Sequence, residues 1–223
     1  MHSGRWLSRT GVAPQRGKEV YLQLKPGETR ILRTFDQQTI DGDRWPILTK
    51  SSDPLVVNGI WKITFIDGGP KLPTDITTKE LKSWTDIGDE EAKCFAGTAR
   101  YSIEIDIPAG ADEWELDLGD VRESARVFIN GKEAAGLFSV PFSAPVGSFL
   151  KRGRNVLEIE VTNLSANRIR DLDIRGVKWK IFQDINFVDH NYKKFSASKW
   201  PMAPSGLLGP VTLTPMTNRT LDE

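Results

Sequence analysis

The sequence predicts an all-β protein, an antiparallel β-sandwich. Three observations carry that expectation. Short stretches alternate apolar and polar residues with period two, the mark of strands with one buried face. Gly and Pro punctuate these stretches at short intervals, where turns reverse the chain. No stretch shows a convincing amphipathic-helix period.

Residues 1–16 are polar, carry Gly, Pro and Arg without periodicity, and read as a loosely held lead-in. Val20, Leu22 and Leu24 then alternate, Lys25-Pro26-Gly27-Glu28 turns, and Ile31, Arg33 and Phe35 alternate again. This is an expected N-terminal β-hairpin extension, with Pro26-Gly27 in the centre of a type II turn. The polar span Asp36–Asp53 sets it apart, and it could close a preceding domain. The expected organisation is a lead segment over 1–53, a sandwich over 54–216 and a tail over 217–223.

Leu55–Ile66 reads as a strand, a kink at Asn58-Gly59 and a second strand, stopped by Gly68-Gly69-Pro70. Lys71–Lys82 contains Pro73 and three threonines and is expected as loop, with one helical turn at most. Ser83–Ile87 reads as a short extended piece, and Asp89–Phe95 as a helical turn or an acidic loop. Gly97–Pro108 is a half-buried strand with Ala99, Tyr101, Ile103, Ile105 and Ile107 on one face. Trp114, Leu116 and Leu118 share a face of the next strand.

The clearest local signal is Glu123–Leu137. Ala125, Val127 and Ile129 alternate with Arg126, Phe128 and Asn130, and Asn130-Gly131 supplies the two positive-φ residues of a type I′ hairpin turn. Pro141–Pro145 crosses over and Val146–Asn155 makes a corner and turn. Val156–Thr162 is a strand with Leu157, Ile159 and Val161 on the face opposite Val156, Glu158, Glu160 and Thr162. Asn163–Ile174 reads as a polar loop, Asp173–Trp200 as irregular, and Val211 and Leu213 as part of a closing strand.

Bulk composition narrows the function classes. In 223 residues, 39% hydrophobic content supports a real core, while 30 basic and 30 acidic side chains balance to zero. That balance argues against nucleic acid or an anionic membrane as the main partner. No apolar run reaches the ~18 residues that suggest a membrane span, and Met1–Trp6 lacks the apolar core of a signal peptide. An exported protein would need its address removed or upstream. Cys94 is the single cysteine, which excludes an internal disulfide, and His2 and His190 are too few for a His-rich zinc site. Seven tryptophans could serve as sugar-stacking platforms, although burial in a sandwich core is the commoner use.

Catalytic signals are weak by comparison. Glycoside hydrolysis needs two carboxylates at a set separation, and the acids at Asp89, Glu90, Glu91, Asp171 and Asp173 read as solvated surface or a cation site instead. Glu123 is expected to hold sheet-edge backbone or to pair with an Arg. A Ser–His–acid site would have to use His190, and there is no Gly-x-Ser-x-Gly elbow. A Cys94–His190 dyad rests on coincidence, and Cys94 reads as a small buried side chain. No phosphate-cradling glycine motif occurs, so no cofactor is expected. A structural calcium bound by oxygens from Asp89, Glu91, Asn163, Asp171 and Asp173 stays open. Asn163–Asp171 is the densest polar loop after a core strand and offers donors and acceptors suited to hydroxyl-rich ligands; the alternative is a loop that caps its own backbone.

Phe95–Tyr101, Leu116–Gly131, Asn155–Asn163 and Pro204–Val211 resemble the sugar-binding jelly-roll domain of glycoside hydrolase family 2. The longer pattern from Asn58-Gly59-Ile60-Trp61 through Asn163 to Pro210 looks most like the C-terminal β-sandwich of bacterial family 106 α-L-rhamnosidases. The resemblance covers roughly residues 55–214 and implies a galactose-binding-like jelly roll. In such enzymes the acid and nucleophile lie in a separate barrel domain, so no catalytic residue is carried onto this chain. Ile174–Pro201 departs from the family pattern.

The expectation is therefore a non-catalytic accessory domain of a polysaccharide-degrading glycoside hydrolase, periplasmic or extracellular, partnered by carbohydrate and by the parent's catalytic domain. A sugar site would use Trp84 or Trp200 as a stacking face, with Arg126, Asn163, Asn167 and Arg168 as polar contacts. A stand-alone hydrolase or lyase on a jelly roll, and a protein-interaction module, are the alternatives.

Overall fold

The computed structural model of the chain describes residues 5–6, 15–16, 19–24, 28–35, 45–181 and 193–219. Strands dominate, and the named strands pair antiparallel throughout. The first five strands are β1 (Arg5–Trp6), β2 (Gln15–Arg16), β3 (Glu19–Val20), β4 (Ile47–Lys50) and β5 (Leu55–Val56). A bend at Gly59 leads into β6 (Trp61–Gly69), and β7 (Ile76–Thr78) folds back on it. Two short helices follow, α1 (Trp84–Ile87) and α2 (Glu90–Cys94). Next are β8 (Ala96–Ile107), β9 (Glu113–Asp117), β10 (Asp120–Arg122), β11 (Ser124–Ile129), β12 (Lys132–Leu137), β13 (Ser143–Pro145) and β14 (Gly153–Thr162). Helix α3 (Ala166–Ile174) precedes the closing strands β15 (Gly206–Gly209) and β16 (Thr212–Arg219).

Two sheets form the sandwich. The larger runs β1-β12-β11-β14-β8-β6-β7. The smaller runs β13-β9-β16-β4, with β5 also paired on β16. Period-two alternation gives each sheet one apolar face. Trp61, Ile63 and Phe65 of β6, Tyr101 and Ile103 of β8, and Leu157 and Ile159 of β14 join Trp114 and Leu116 of β9 and Leu213 of β16 in one buried cluster. The β8–β14 ladder is unbroken from Thr98↔Thr162 to Ile107↔Gly153, which fixes the register of the larger sheet.

The β11–β12 hairpin forms as expected. Asn130 and Gly131 take φ of 52° and 77°, the left-handed values of a type I′ turn. The Asn130 side chain then ties the tip to the start of β14: Nδ2 donates to Asn155 Oδ1 at 2.9 Å and Oδ1 accepts from Val156 N at 3.1 Å.

Several local expectations are corrected. Ser83–Ile87 is helical rather than extended, because Ser83 Oγ accepts from Thr85 N at 3.3 Å and caps the turn. Of the two readings of Asp89–Phe95 the helical one holds, with Asp89 Oδ1 accepting from Ala92 N at 3.0 Å. Ile76–Thr78, expected as loop, is a strand on β6. Asn163–Ile174 is not a loop: Ala166–Ile174 is a helix, braced where Asp171 accepts from Arg168 at 3.1 Å and Arg175 at 2.7 Å, spacings i,i+3 and i,i+4.

The lead segment also differs. β3 pairs upstream with β2, residues 28–35 form no strand, and the Pro26-Gly27 turn lies outside the described residues. Instead, Gln23 lays its amide along β4. Its Nε2 donates to Leu48 O at 2.9 Å and its Oε1 accepts from Leu48 N at 2.8 Å, standing in for a neighbouring strand at the sheet edge. β4 belongs to the smaller sheet although it falls within 1–53, and β16 continues to Arg219.

Candidate functional site

The outer face of the larger sheet collects the polar half of each alternating strand. Strand register sets Gly136, Arg126, Glu160, Arg100 and Thr64 in one row across β12, β11, β14, β8 and β6. Glu160 is the hub and is only 8% exposed. Its Oε1 accepts from Arg100 Nη2 at 2.6 Å and Nε at 3.2 Å, and its Oε2 accepts from Arg126 Nη1 at 3.4 Å. Arg126 also donates to Glu133 Oε2 at 2.7 Å and lies 5.0 Å over the Phe128 ring. The hydrogen bond from Arg126 holds the Glu133 carboxyl below the ordinary glutamate range, and Glu133 raises Arg126 in return.

Beside this row the surface dips. A depression of about 260 Å³ is lined by Thr98, Ser124, Arg126, Gly136, Phe138, Glu160 and Thr162. Thr98 and Thr162 share a hydroxyl hydrogen bond of 2.7 Å. Phe138 is 52% exposed, so the depression offers an aromatic wall, several hydroxyls and a paired guanidinium and carboxylate. Those are the groups with which proteins hold sugars.

Of the six residues expected at a sugar site, Trp84 and Asn167 are buried and Asn163 is partly buried and bonded into the fold. Trp84 is wholly buried and packs edge-to-face on Phe65 and Phe95, with centroids at 5.5 and 5.9 Å. No face of its ring is open for stacking, so that expectation is corrected. Asn163 donates to Phe95 O at 3.0 Å and Ser205 Oγ at 3.1 Å and accepts from Gly97 N at 2.9 Å. Asn167 is 2% exposed and exchanges two bonds of 2.8 Å with the Ala203 backbone. Both amides spend their N–H donors and one oxygen lone pair on the fold. Arg168 braces α3 through Asp171.

Arg126 and Trp200 are the expected residues that reach the surface with a usable group. Arg126 lines the depression. Trp200 sits elsewhere, in the loop after α3. It is 39% exposed, its carbonyl accepts from Arg170 Nε at 2.8 Å, and its ring meets Phe195 edge-to-face at 5.6 Å. Beneath that loop Asp173, with a side chain 6% exposed, accepts from Trp179 Nε1 at 2.7 Å, Lys180 Nζ at 2.9 Å and Ala197 N at 2.7 Å.

Sequence reasoning missed Glu160, Thr98, Thr162, Gly136 and Phe138. The alternation of β14 does place Glu160 and Thr162 on the polar face, but their meeting with Arg126 depends on strand pairing. Of the acids considered for calcium, Asp89 caps α2, Asp171 pairs with arginines and Asp173 with Lys180. Among the described residues no group of three His, Cys, Asp or Glu side chains is placed to hold a metal ion. Cys94 is partly buried, and burial raises its thiol pKa. The Glu123 backbone N–H donates to Thr162 O at 2.8 Å. His190 lies outside the described residues.

No family model matches the chain. It is 30% identical over 231 residues to a protein of Formosa agariphila named "Putative beta-glucuronidase", covering 90% of this chain and 19% of that protein. A rhamnosidase from Novosphingobium sp. PP1Y is 25% identical, with a TM-score of 0.55, over 83% of this chain and 16% of that one. A β-D-glucuronidase of Dictyoglomus thermophilum is 18% identical, with a TM-score of 0.49, over 78% of this chain and 29% of that one. The chain spans about a fifth of the curated relative it matches. Its similarity is to one part of much longer glycoside hydrolases, and the part is all-β.

Proposed function

We propose that this chain is a non-catalytic β-sandwich unit of a polysaccharide-degrading glycoside hydrolase, touching carbohydrate on the outer face of its larger sheet while a separate domain breaks the glycosidic bond. The observation that carries the reading is the match of 90% of this chain to 19% of a protein bearing a glycoside hydrolase name. The acids support it. A general acid for glycoside cleavage needs a raised pKa. Asp89, Glu133 and Asp173 are all shifted downward. Among the described residues no helix is long and apolar enough to cross a membrane. On this reading the unit works in the periplasm or outside the cell, where polysaccharide is met.

The test pairs turnover with binding. The purified chain is incubated with aryl α-L-rhamnoside and aryl β-D-glucuronide, and titrated calorimetrically with oligosaccharides containing either sugar. No hydrolysis and weak binding are expected. Turnover that His190→Ala abolishes would overturn the non-catalytic reading.

A scaffolding role has its own support. Leu55, Val56 and Ile60 are 43%, 53% and 60% exposed, and Leu24, Ile31 and Leu32 of the lead segment are 50%, 101% and 52% exposed. Apolar side chains carried this openly are suited to packing against a neighbouring domain.

A further inference from the structure

We infer that the depression beside Arg126 is a subsite for a single neutral, hydroxyl-rich sugar ring, seated over Gly136. This rests on the proposal that the unit contacts carbohydrate, and adds the place, the size and the charge of what is bound.

Gly136 is the first argument. Glycine inside a strand weakens it and is kept where a turn, a bulge or a close approach requires it. Gly206 meets such a requirement: its φ is +103° and a Cβ there would collide with the Tyr101 hydroxyl. Gly136 does not. Its φ is not in the left-handed region, and no described atom lies within 4 Å of the point where its Cβ would stand. It is the next-to-last residue of β12, opposite Arg126 on one side and Trp6 of β1 on the other, and it lines the depression. Among the described residues, nothing fills the place its side chain would take on the outer face.

The walls are the second argument. Phe138 offers an aromatic surface to the C–H face of a sugar ring. Ser124, Thr98 and Thr162 offer hydroxyls, and the Arg126–Glu160 pair offers adjacent donors and an acceptor. A volume of about 260 Å³ is enough for one monosaccharide ring.

Charge decides the class of sugar. Arg126 is already held by Glu133 and Glu160, and Arg100 by Glu160 with Glu158 at 3.9 Å. Two cations face three carboxylates, so the network has no spare positive charge for a uronate or a sulfate. A neutral ring can exchange hydrogen bonds with the pair without breaking that balance.

The experiment uses the full chain and matched ligands: methyl glycosides of glucose, galactose and rhamnose, and the uronates of glucose and galactose, followed by ligand-observed NMR. At least one neutral glycoside is expected to bind about tenfold more tightly than the uronates. Gly136→Val adds bulk to the lining and should weaken that binding about tenfold or more while the urea midpoint stays the same or rises. If Gly136→Val misfolds, Arg126→Gln on the exposed rim supplies the same readout. Neutral binding that survives both variants would overturn this site while leaving carbohydrate contact standing. A uronate that binds as well as its neutral partner would overturn the charge argument. Absence of binding by every glycoside would end both the subsite and the carbohydrate contact, and leave the scaffolding role.

Discussion

The side-chain amide of Asn163 donates to the Ser205 hydroxyl at 3.1 Å, across 42 positions of sequence. The same amide also satisfies Phe95 O and Gly97 N, so one residue joins the end of β14, the start of β8 and the turn before β15. Ser205 in turn donates its backbone N–H to Ser83 Oγ at 2.9 Å, which brings the α1 cap into the same knot. Asn163→Ala would strand a backbone donor and an acceptor in a water-poor place. The expected loss is about 2–3 kcal/mol of unfolding free energy, measured by urea denaturation. Glycoside affinity of the folded protein should not change, because the amide is committed to the fold.

Trp84 makes a complementary case. It is wholly buried, yet its indole N–H has no hydrogen-bond partner among the described residues. Its side chain therefore contributes through packing, including edge-to-face contacts with Phe65 and Phe95. Trp84→Ala should cost about 3–5 kcal/mol by opening a cavity. Trp84→Phe keeps a ring and removes the unpaired donor, and should cost only about 1–2 kcal/mol. Thermal melts of the two variants would check the gap. Equal losses would mean that the indole N–H has a partner after all.

These two residues also show what the sequence made legible. β8, β11 and β14 could be read directly, since alternation is local and one buried face imposes it. Helix α1 could not, because four residues carry no period and the Ser83 cap decides the outcome. Helix α3 hides its apolar Ile169 and Leu172 among charges, and its Arg168–Asp171–Arg175 ladder was the available signal. Trp84 and Trp200 are alike by residue type, and only tertiary packing buries one and exposes the other. Arg126 could be singled out from its place in the hairpin. Its partner Glu160 could not, because the pairing of β11 with β14 is set by the whole sheet.

Acid should release the loop after α3. Burial pushes the Asp173 carboxyl pKa up, but the Ala197 N–H, the Trp179 indole and Lys180 together hold it below the ordinary 3.8. A carboxylate with a depressed folded pKa contributes its full stability above the unfolded value and loses it as pH falls through the folded one. The described groups that bond to it are cationic or neutral donors, and together they outweigh the effect of burial. A tryptophan fluorescence change is expected below about pH 4. Asp173→Asn should abolish that change and cost about 2 kcal/mol at neutral pH. A change that persists in Asp173→Asn would place its origin in another group.

The Arg126–Glu160 pair should be asymmetric. Arg126 stands mostly in solvent, where an ion pair gains little and salt screens it, so Arg126→Ala should leave the unfolding midpoint almost unmoved. Glu160 is 8% exposed and serves two guanidinium groups at once. Glu160→Ala removes the acceptor shared by Arg100 and Arg126, which flank it on β8 and β11. That variant should lose about 1–2 kcal/mol. Raising the salt concentration should shrink the loss by screening the exposed guanidinium groups left behind. A double-mutant cycle on Arg100 and Glu160 isolates the stronger of the two contacts, since its Nη2–Oε1 distance is 2.6 Å against 3.4 Å for Arg126. A larger loss from Arg126→Ala than from Glu160→Ala would reverse the order of burial and show that Arg126, not Glu160, organises this face.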